Sequence, residues 1–318
     1  MSRPRVSVCV VTFNQHALIE KCLRSIVAQV VNAEVRVLVG DDASDDGTSE
    51  IVAELAVECS GRIQHFRRDP NMGIFANIRD LVGRADGDYI AQMDGDDYWL
   101  PGKLARQLEY LQANPDCAAV YTNAITVDEA GSRIGLFNDV GDARFDLAAL
   151  LRRGNFLNSS SVLFRAAGRQ AILDVTEPQI DYQVHLWRAR RGWLGHIGEP
   201  LAAYRVNTRG SMVGSMNERV RELYWQAIQS VPRELVSDDV YALGIADFLR
   251  RVFFRALRTR NGRLLWQWAR RVFAASPYGK LCTSALTFAS IVRMTGKELA
   301  GRFRKDADGR RVRVLYRR

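Results

Sequence analysis

Three carboxylates fall within four residues in the segment Asp94-Gly95-Asp96-Asp97, directly after the apolar segment Tyr89 to Met93. Carboxylates this close repel one another unless a cation lies among them, and Mg²⁺ and Mn²⁺ prefer oxygen ligands and bridge diphosphate oxygens. We therefore interpret this turn, with Asp94 and Asp96 among its carboxylates, as a site for Mg²⁺ or Mn²⁺, which would neutralise charge on a departing nucleoside diphosphate. The alternative is a solvated acidic turn that caps the next helix, which is the commoner role of such a pair in isolation.

A second acidic loop, Asp41 to Thr48, follows another apolar strand and favours the metal interpretation. An acidic residue of this loop could accept a hydrogen bond from a nucleobase N–H, whereas Ser44 or Asp45 could cap the following helix. The first strand of the chain ends in Thr12, Phe13 and Asn14. An aromatic ring at a strand end could stack on a nucleobase, although a single phenylalanine is more often part of a core.

The segments that carry these residues alternate between strand and helix patterns. An apolar, β-branched run at Val6 to Phe13 predicts a strand buried on both faces, and the apolar spacing of Asn14 to Val30 predicts a helix. The repeated alternation predicts an α/β fold with a mostly parallel sheet flanked by helices. Ligands of such sheets bind beyond the carboxyl ends of the strands, where all of these polar clusters fall. Further strands are expected at 119–127 and 160–165, and a further helix at 181–191.

Several segments carry a family resemblance: VSVCVVTFN, VGDDASDDGT, NMGIFAN, GDYIAQMDGDDYWLPGKL and DYQVHLWRARRG followed by EPLAAYR. Together they resemble family 2 glycosyltransferases of the GT-A fold, a Rossmann-like α/β architecture. The resemblance covers roughly residues 4–210. Each string alone is a weak signal, but their order and spacing are specific.

The resemblance implies roles for the polar clusters. It implies that the region of Phe13 and Asp42 holds the nucleobase and that Asn71 belongs to the nucleotide-sugar pocket. It also implies that Asp94 lies near the ribose and diphosphate, and that Asp96 is the metal ligand.

In the same way, the resemblance implies that Asp181 is the catalytic base and that transfer inverts the anomeric carbon. The family carries an acidic pair here, whereas this chain has Ile180 before Asp181. A carboxylate at a helix start is also a common cap, so a structural role is the alternative. A second departure is Asn207, where related sequences often carry histidine. Asn207 would be a poorer ligand for a metal.

The acceptor candidates are Trp187 and Asn158. An aromatic face suits a sugar ring, and the polar run that begins at Asn158 suits its hydroxyls. A core role for Trp187 and a turn role for Asn158 are equally good interpretations. The four histidines form no spaced cluster with cysteine or with each other, so a zinc site is not expected.

The charge of the chain is unevenly distributed. Residues 245–318 hold 19 Lys and Arg against 4 Asp and Glu, whereas residues 1–244 hold 26 against 32. We therefore expect a catalytic domain at 1–215 and a basic helical extension at 216–318. The arginines of 248–273 interleave with Phe, Leu and Trp, which predicts contact with an anionic membrane, the alternative being packing on the catalytic domain. The longest apolar run, Leu281 to Val292, is too short to span a bilayer.

The sequence thus predicts a glycosyltransferase that uses a nucleotide-diphosphate sugar in the synthesis of a cell-surface polysaccharide or glycolipid. No recognised nucleic-acid module accompanies the positive charge, so nucleic acid is not an expected partner. A glycan or lipid-linked acceptor and an anionic membrane surface are the expected partners, and the expected location is the cytoplasm, peripheral to the inner face of the membrane. The alternatives are a nucleotidyltransferase, which would normally show a glycine-rich basic loop near the first strand, and a catalytically silent scaffold of a membrane glycan-assembly complex.

Overall fold

The structure is a computed structural model, and it describes residues 3–175, 177–206, 218–301 and 313–317. Within these ranges the strands are β1 (Arg5–Thr12), β2 (Glu34–Asp41), β3 (Ile63–Arg67), β4 (Tyr89–Asp94), β5 (Tyr98–Trp99), β6 (Cys117–Val127), β7 (Arg133–Asn138), β8 (Ala143–Phe145), β9 (Leu163–Arg165), β10 (Trp193–Arg205) and β11 (Arg313–Tyr316).

The helices of the described chain are α1 (His16–Val27), α2 (Thr48–Glu58), α3 (Ile74–Arg84), α4 (Lys103–Ala113), α5 (Leu147–Arg153), α6 (Gln170–Leu173), α7 (Asp181–Ala189), α8 (Glu218–Gln229), α9 (Asp238–Thr259), α10 (Gly262–Ala275) and α11 (Lys280–Gly301). They alternate with strands through the first half of the chain. The predicted α/β class is confirmed.

The strands form one sheet in the order β11-β7-β6-β9-β4-β1-β2-β3, with β10 alongside β6. The half that contains β4, β1, β2 and β3 is entirely parallel. Thr12 pairs with Asp41, and Val11 pairs with Asp94. The carboxyl ends of three adjacent strands therefore bring the predicted polar clusters to one edge of the sheet.

Strand β1 is buried on both faces, as its continuous apolar run predicts. Val6, Val8 and Val10 belong to the core beneath α1, α2 and α4, whereas Cys9 and Val11 belong to the core on the opposite face. This alternation follows from the two-residue period of a strand. Two apolar layers thus hold the sheet and fix the position of its carboxyl edge.

The sequence patterns did not predict β10 as a strand. It contains Gly195, Gly198 and Pro200, which are all depleted in strands, and its pairing with β6 shifts register at Pro200. The strand forms because its apolar positions, such as Leu194 and Ile197, are buried in the two cores. Its last residue, Arg205, reaches the candidate site.

Of the described helices after residue 217, α8, α9 and α10 share an apolar core with the sheet-bearing part of the chain, whereas α11 packs on α9. Trp225, Phe248, Leu249 and Trp268 belong to the same core as residues of α3, α5 and α7. Phe248, Leu249 and Trp268, which lie in the 248–273 segment, therefore pack inside the protein rather than facing solvent. The predicted boundary at 215/216 lies outside the described residues. No helix in the described parts of the chain is both long and apolar enough to cross a bilayer.

Candidate active site

Asp94 ends β4 and begins the tight acidic turn. The Asp97 N–H donates to the Asp94 carbonyl at 3.0 Å, and the Gly95 N–H donates to the Val11 carbonyl at 2.9 Å. A Cβ at Gly95 would lie against the side chains of Gln15 and Thr12, so a larger residue there would have to displace the Gln15 amide. The turn is therefore held against the end of β1.

The pKa of Asp94 is raised to about 7, first by desolvation and then by the negative charges of Asp96 and Asp181. The Ser160 hydroxyl donates to Asp94 Oδ2 at 3.2 Å and opposes part of this increase. The Asp181 charge can raise the pKa of Asp94 only if the two carboxylates lie near each other. The predicted base and the predicted diphosphate region are thus brought together.

Asp181 is the first residue of α7. Its side chain reaches solvent on one side, yet enough protein surrounds it for desolvation to raise its pKa. A hydrogen bond with Ser159 and the positive charge of Arg188 act in the opposite direction. The helix cap is Ile180, whose side chain cannot form a capping hydrogen bond, so Asp181 does not serve as the cap residue.

The segment Asn158 to Ser161 lies between the two carboxylates. The Asn158 side chain accepts from the Ser160 N–H at 3.0 Å, which fixes a single 3-10 turn at Ser159–Ser161. Asn158 Nδ2 is buried and has no hydrogen-bond partner within the described structure. A buried amide donor without a partner is costly, and the Asn158 side chain is kept in place by its bond from the Ser160 N–H.

Arg205 anchors the acidic turn from β10. Its backbone N–H donates to Asp97 Oδ1 at 2.8 Å, and its Nε donates to the Asp96 carbonyl at 3.2 Å. Its Nη1 also donates to the carbonyls of Asp128 and Glu129. Arg205 therefore holds the turn through the Asp97 carboxylate and the Asp96 carbonyl.

The predicted nucleobase region lies at the ends of β1 and β2. Phe13 is 48% exposed, which is unusual for a phenylalanine at the end of a buried strand. Asp42 is buried, and its carboxylate accepts from the backbone N–H groups of Met72 and Gly73, both at 2.8 Å. Asn71 Nδ2 donates to the Asp42 carbonyl at 2.8 Å. Asp42 and Asn71 therefore fix the loop between β3 and α3 against the end of β2.

The remaining residues of this edge fix the strand end. Thr12 is buried and its hydroxyl donates to Gln15 Oε1 at 2.8 Å. The Asn14 N–H donates to Ser44 Oγ at 3.0 Å, and Asn14 adopts a positive φ of 50°. Strands lie about 4.8 Å apart, so the ends of β2 and β4 stand about 10 Å apart across β1. That span matches the distance between a nucleobase and its diphosphate.

The donor set fits a divalent cation bound together with its substrate. Asp94 and Asp96 supply carboxylates from one turn, and their mutual repulsion raises the pKa of Asp94. Across the described residues, no group of three or more His, Cys, Asp or Glu side chains is arranged to hold a metal. Mg²⁺ commonly binds one or two carboxylates and takes its other ligands from phosphate and water.

Trp187 is half-buried on α7, six residues after Asp181 and so about 120° around the helix from it. Its acceptor role stays a prediction. Asn207 lies outside the described residues. The residues that sequence patterns missed are Ser159 and Ser160 as direct partners of Asp181 and Asp94. Their only sequence signal was the polar run in which they lie.

The family model of glycosyl transferase family 2 matches residues 7–164, about half of the chain. An uncharacterized protein of Mycobacterium tuberculosis is 29% identical over 223 residues, which are 70% of this chain and 64% of that protein. The chain thus matches somewhat less than two thirds of the length of this relative.

Two solved structures share the fold. S. aureus TarS in complex with UDP-GlcNAc superposes with a TM-score of 0.64 at 17% identity, covering 96% of this chain and 95% of that one. The mannosyltransferase PcManGT from Pyrobaculum calidifontis, in complex with GDP-Man and Mn²⁺, gives 0.52 at 20% identity, covering 94% and 88%. These likenesses confirm the predicted GT-A architecture. The family match lies on the motifs that form the acidic edge of the sheet, and the chain belongs to glycosyl transferase family 2.

Proposed function

We propose that the chain is an inverting glycosyltransferase that moves a sugar from a nucleotide-diphosphate donor to an acceptor hydroxyl. The observation that carries this proposal is the turn Ser159–Ser161 at the carboxyl edge of the sheet, where the Ser160 hydroxyl donates to Asp94 Oδ2 at 3.2 Å and the neighbouring Ser159 forms a hydrogen bond with Asp181. Membership of glycosyl transferase family 2 supports it.

The donor lies along the edge from β2 to β4. Its base stacks on the exposed ring of Phe13, beneath the loop that Asp42 and Asn71 hold. Its diphosphate faces Asp94 and Asp96, which would hold Mg²⁺ or Mn²⁺. That ion supplies charge neutralisation on the leaving diphosphate.

Asp181 takes the proton of the acceptor hydroxyl. As the acceptor oxygen forms its bond to the anomeric carbon, the bond from that carbon to the β-phosphate oxygen breaks, and its electron pair leaves with the nucleoside diphosphate. Attack opposite to the leaving group inverts the anomeric carbon. The raised pKa of Asp181 makes its carboxylate a stronger base, which favours proton transfer near neutral pH.

The acceptor side is the Asn158–Ser161 segment, whose Ser159 forms a hydrogen bond with Asp181. We assign the acceptor to a cell-surface glycan or its lipid-linked precursor. The net charge of +15 over residues 245–318 supports contact of the 216–318 extension with an anionic membrane, where such an acceptor would reside.

Titration with a panel of nucleoside diphosphates and triphosphates, with and without Mn²⁺, tests the proposal. We expect Mn²⁺-dependent preference for one nucleoside diphosphate. Preference for a triphosphate would instead indicate a nucleotidyltransferase. Absence of nucleotide binding would indicate a silent scaffold, the alternative that the missing acid at Ile180 favours.

A further inference from the structure

Tyr224 of α8 lies between two elements that carry candidate active-site residues. Its ring stacks on the ring of Tyr182, with the centroids 4.6 Å apart and an angle of 25° between the planes. Tyr182 is 1% exposed and directly follows Asp181 in α7. The Tyr224 hydroxyl accepts from the Asn155 N–H at 2.8 Å. One side chain of the helical extension thus contacts both the start of α7 and the segment that leads into the Ser159–Ser161 turn.

The two elements that Tyr224 contacts meet at the predicted base. Asp181 begins α7, and Ser159 forms a hydrogen bond with it. Asn155 lies only four residues before Ser159 in the sequence. The separation of Asp181 and Ser159 therefore depends on how the start of α7 lies against the segment that begins at Asn155. Tyr224 joins these two parts of the chain through its ring and its hydroxyl.

The Tyr224 side chain is itself held in place. Its ring lies 5.8 Å from the ring of Phe248 on α9, at an angle of 28°, and the Arg251 guanidinium lies 5.2 Å from its centroid. A Cβ at Gly154 would meet the Tyr224 hydroxyl, so the glycine leaves the space that this hydroxyl fills. A ring that is stacked, hydrogen-bonded and closely packed has few other positions open to it. It therefore passes a displacement of one element on to the other.

We propose that Tyr224 is a positioning residue of the transferase, which fixes the separation of Asp181 and Ser159 by holding α7 against the segment before Ser159. Misplacement of a reacting group by about 1 Å can cost a factor of about 10² in rate. The family match ends at residue 164, so this residue of the helical extension lies beyond it. The inference rests on the proposed function, in which Asp181 is the base, and it makes the extension part of the catalytic unit.

Tyr224→Phe keeps the ring and removes only the hydroxyl that accepts from Asn155. We expect turnover to fall about tenfold. Nucleoside diphosphate affinity should stay unchanged, because the lost bond leaves the strand ends that hold the donor intact. Turnover is measured as hydrolysis of the nucleotide sugar that the wild type cleaves fastest in a panel of UDP-, GDP- and dTDP-sugars. The matched control is Tyr278→Phe, which removes a hydrogen bond to Asp239 within the same extension and should leave turnover unchanged.

A double-mutant cycle separates positioning from a loss of stability. If Tyr224 acts through Asp181, Tyr224→Phe should slow the wild type about tenfold but slow Asp181→Asn by less than about twofold. A structural role would instead slow both by the same factor. Hydrogen exchange gives a readout that needs no substrate. The 154–161 segment should exchange faster in Tyr224→Phe than in the wild type, and Tyr278→Phe should not show this increase.

Three outcomes would overturn the inference. They are an equal fold reduction by Tyr224→Phe in the wild-type and Asp181→Asn backgrounds, unchanged turnover of Tyr224→Phe, and unchanged exchange of the 154–161 segment in that variant. Circular dichroism verifies that each variant is folded. Unchanged turnover of Asp181→Asn would refute the proposed function instead, and the exchange measurement would still decide whether Tyr224 holds the segment.

Discussion

Replacement of Asp181 by asparagine separates catalysis from binding. Asparagine has nearly the same shape and keeps an oxygen that can accept from Ser159, but it cannot take a proton. Asp181 is not the cap residue of α7, so the change costs only the charge at the helix start, about 0.3–1 kcal/mol. Removal of a desolvated charge offsets part of that cost. We therefore expect the folded protein to keep its stability and its donor affinity within a few-fold.

The rate should fall by about 10² to 10⁴, the contribution of a positioned general base. This corresponds to about 3–5 kcal/mol of barrier. Slow donor hydrolysis, in which water replaces the acceptor, gives an assay that does not require the acceptor to be known. Calorimetry measures donor affinity in parallel. Asp174→Asn, at an exposed acid after α6, is the matched control.

The pH profile provides a second readout for Asp181. Desolvation by the surrounding protein raises its pKa although part of the side chain reaches solvent, so the wild-type rate should increase with pH as the carboxylate loses its proton, along an acidic limb displaced above the usual aspartate range. Ser159→Ala removes a hydrogen bond that favours the charged form, so the limb should move to higher pH. Unchanged turnover of Asp181→Asn, or a limb that persists in it, would refute the assignment of Asp181 as the base.

Four further predictions follow from single contacts. Asp96→Ala should abolish the Mn²⁺ dependence of nucleoside diphosphate binding in calorimetry, and retention of that dependence would contradict the metal assignment. Phe13→Ala should weaken nucleotide binding about tenfold with the fold unchanged, because a stacking surface is lost. Gly154 has a φ of 70° and a ψ of −167°, a region that essentially only glycine adopts, and a Cβ there would meet the side-chain ends of Tyr224 and Arg251. Gly154→Ala should therefore lower the free energy of unfolding, measured with urea, by roughly 1–3 kcal/mol. Burial and then the Arg188 charge lower the pKa of His185 to about 3, so the unfolded state binds more protons than the folded state below pH 6.5. The free energy of unfolding, measured with urea, should therefore fall by about 2 kcal/mol between pH 6.5 and pH 5. The variant His185→Gln should not show this loss.

Local patterns in the sequence were sufficient for the nucleotide half of the fold. The apolar run of β1 and the polar residues that follow β1, β2 and β4 are each confined to about ten residues of sequence. The strand and the polar strand ends that they predict therefore do not depend on contacts with distant segments. Parallel pairing then requires that these ends share one edge. The acidic edge and the family could therefore be predicted directly.

Contacts between distant segments decided how the acidic edge is held. Arg205 reaches the Asp96–Asp97 turn across more than 100 residues of sequence, and Ser160 reaches Asp94 across 66. Such contacts leave no periodic signal. The Gly and Pro residues of β10 even argued against the strand that delivers Arg205.

The sequence by itself determined that the C-terminal region is basic, helical and rich in apolar residues, because composition and spacing are local properties. Only the tertiary structure decided which of those apolar residues meet solvent. Phe248 and Trp268 are buried against the catalytic region, whereas Phe288 and Val292 face outward from α11. The physical reason is that an amphipathic pattern fixes which residues share a face, but the neighbouring elements fix which face is covered.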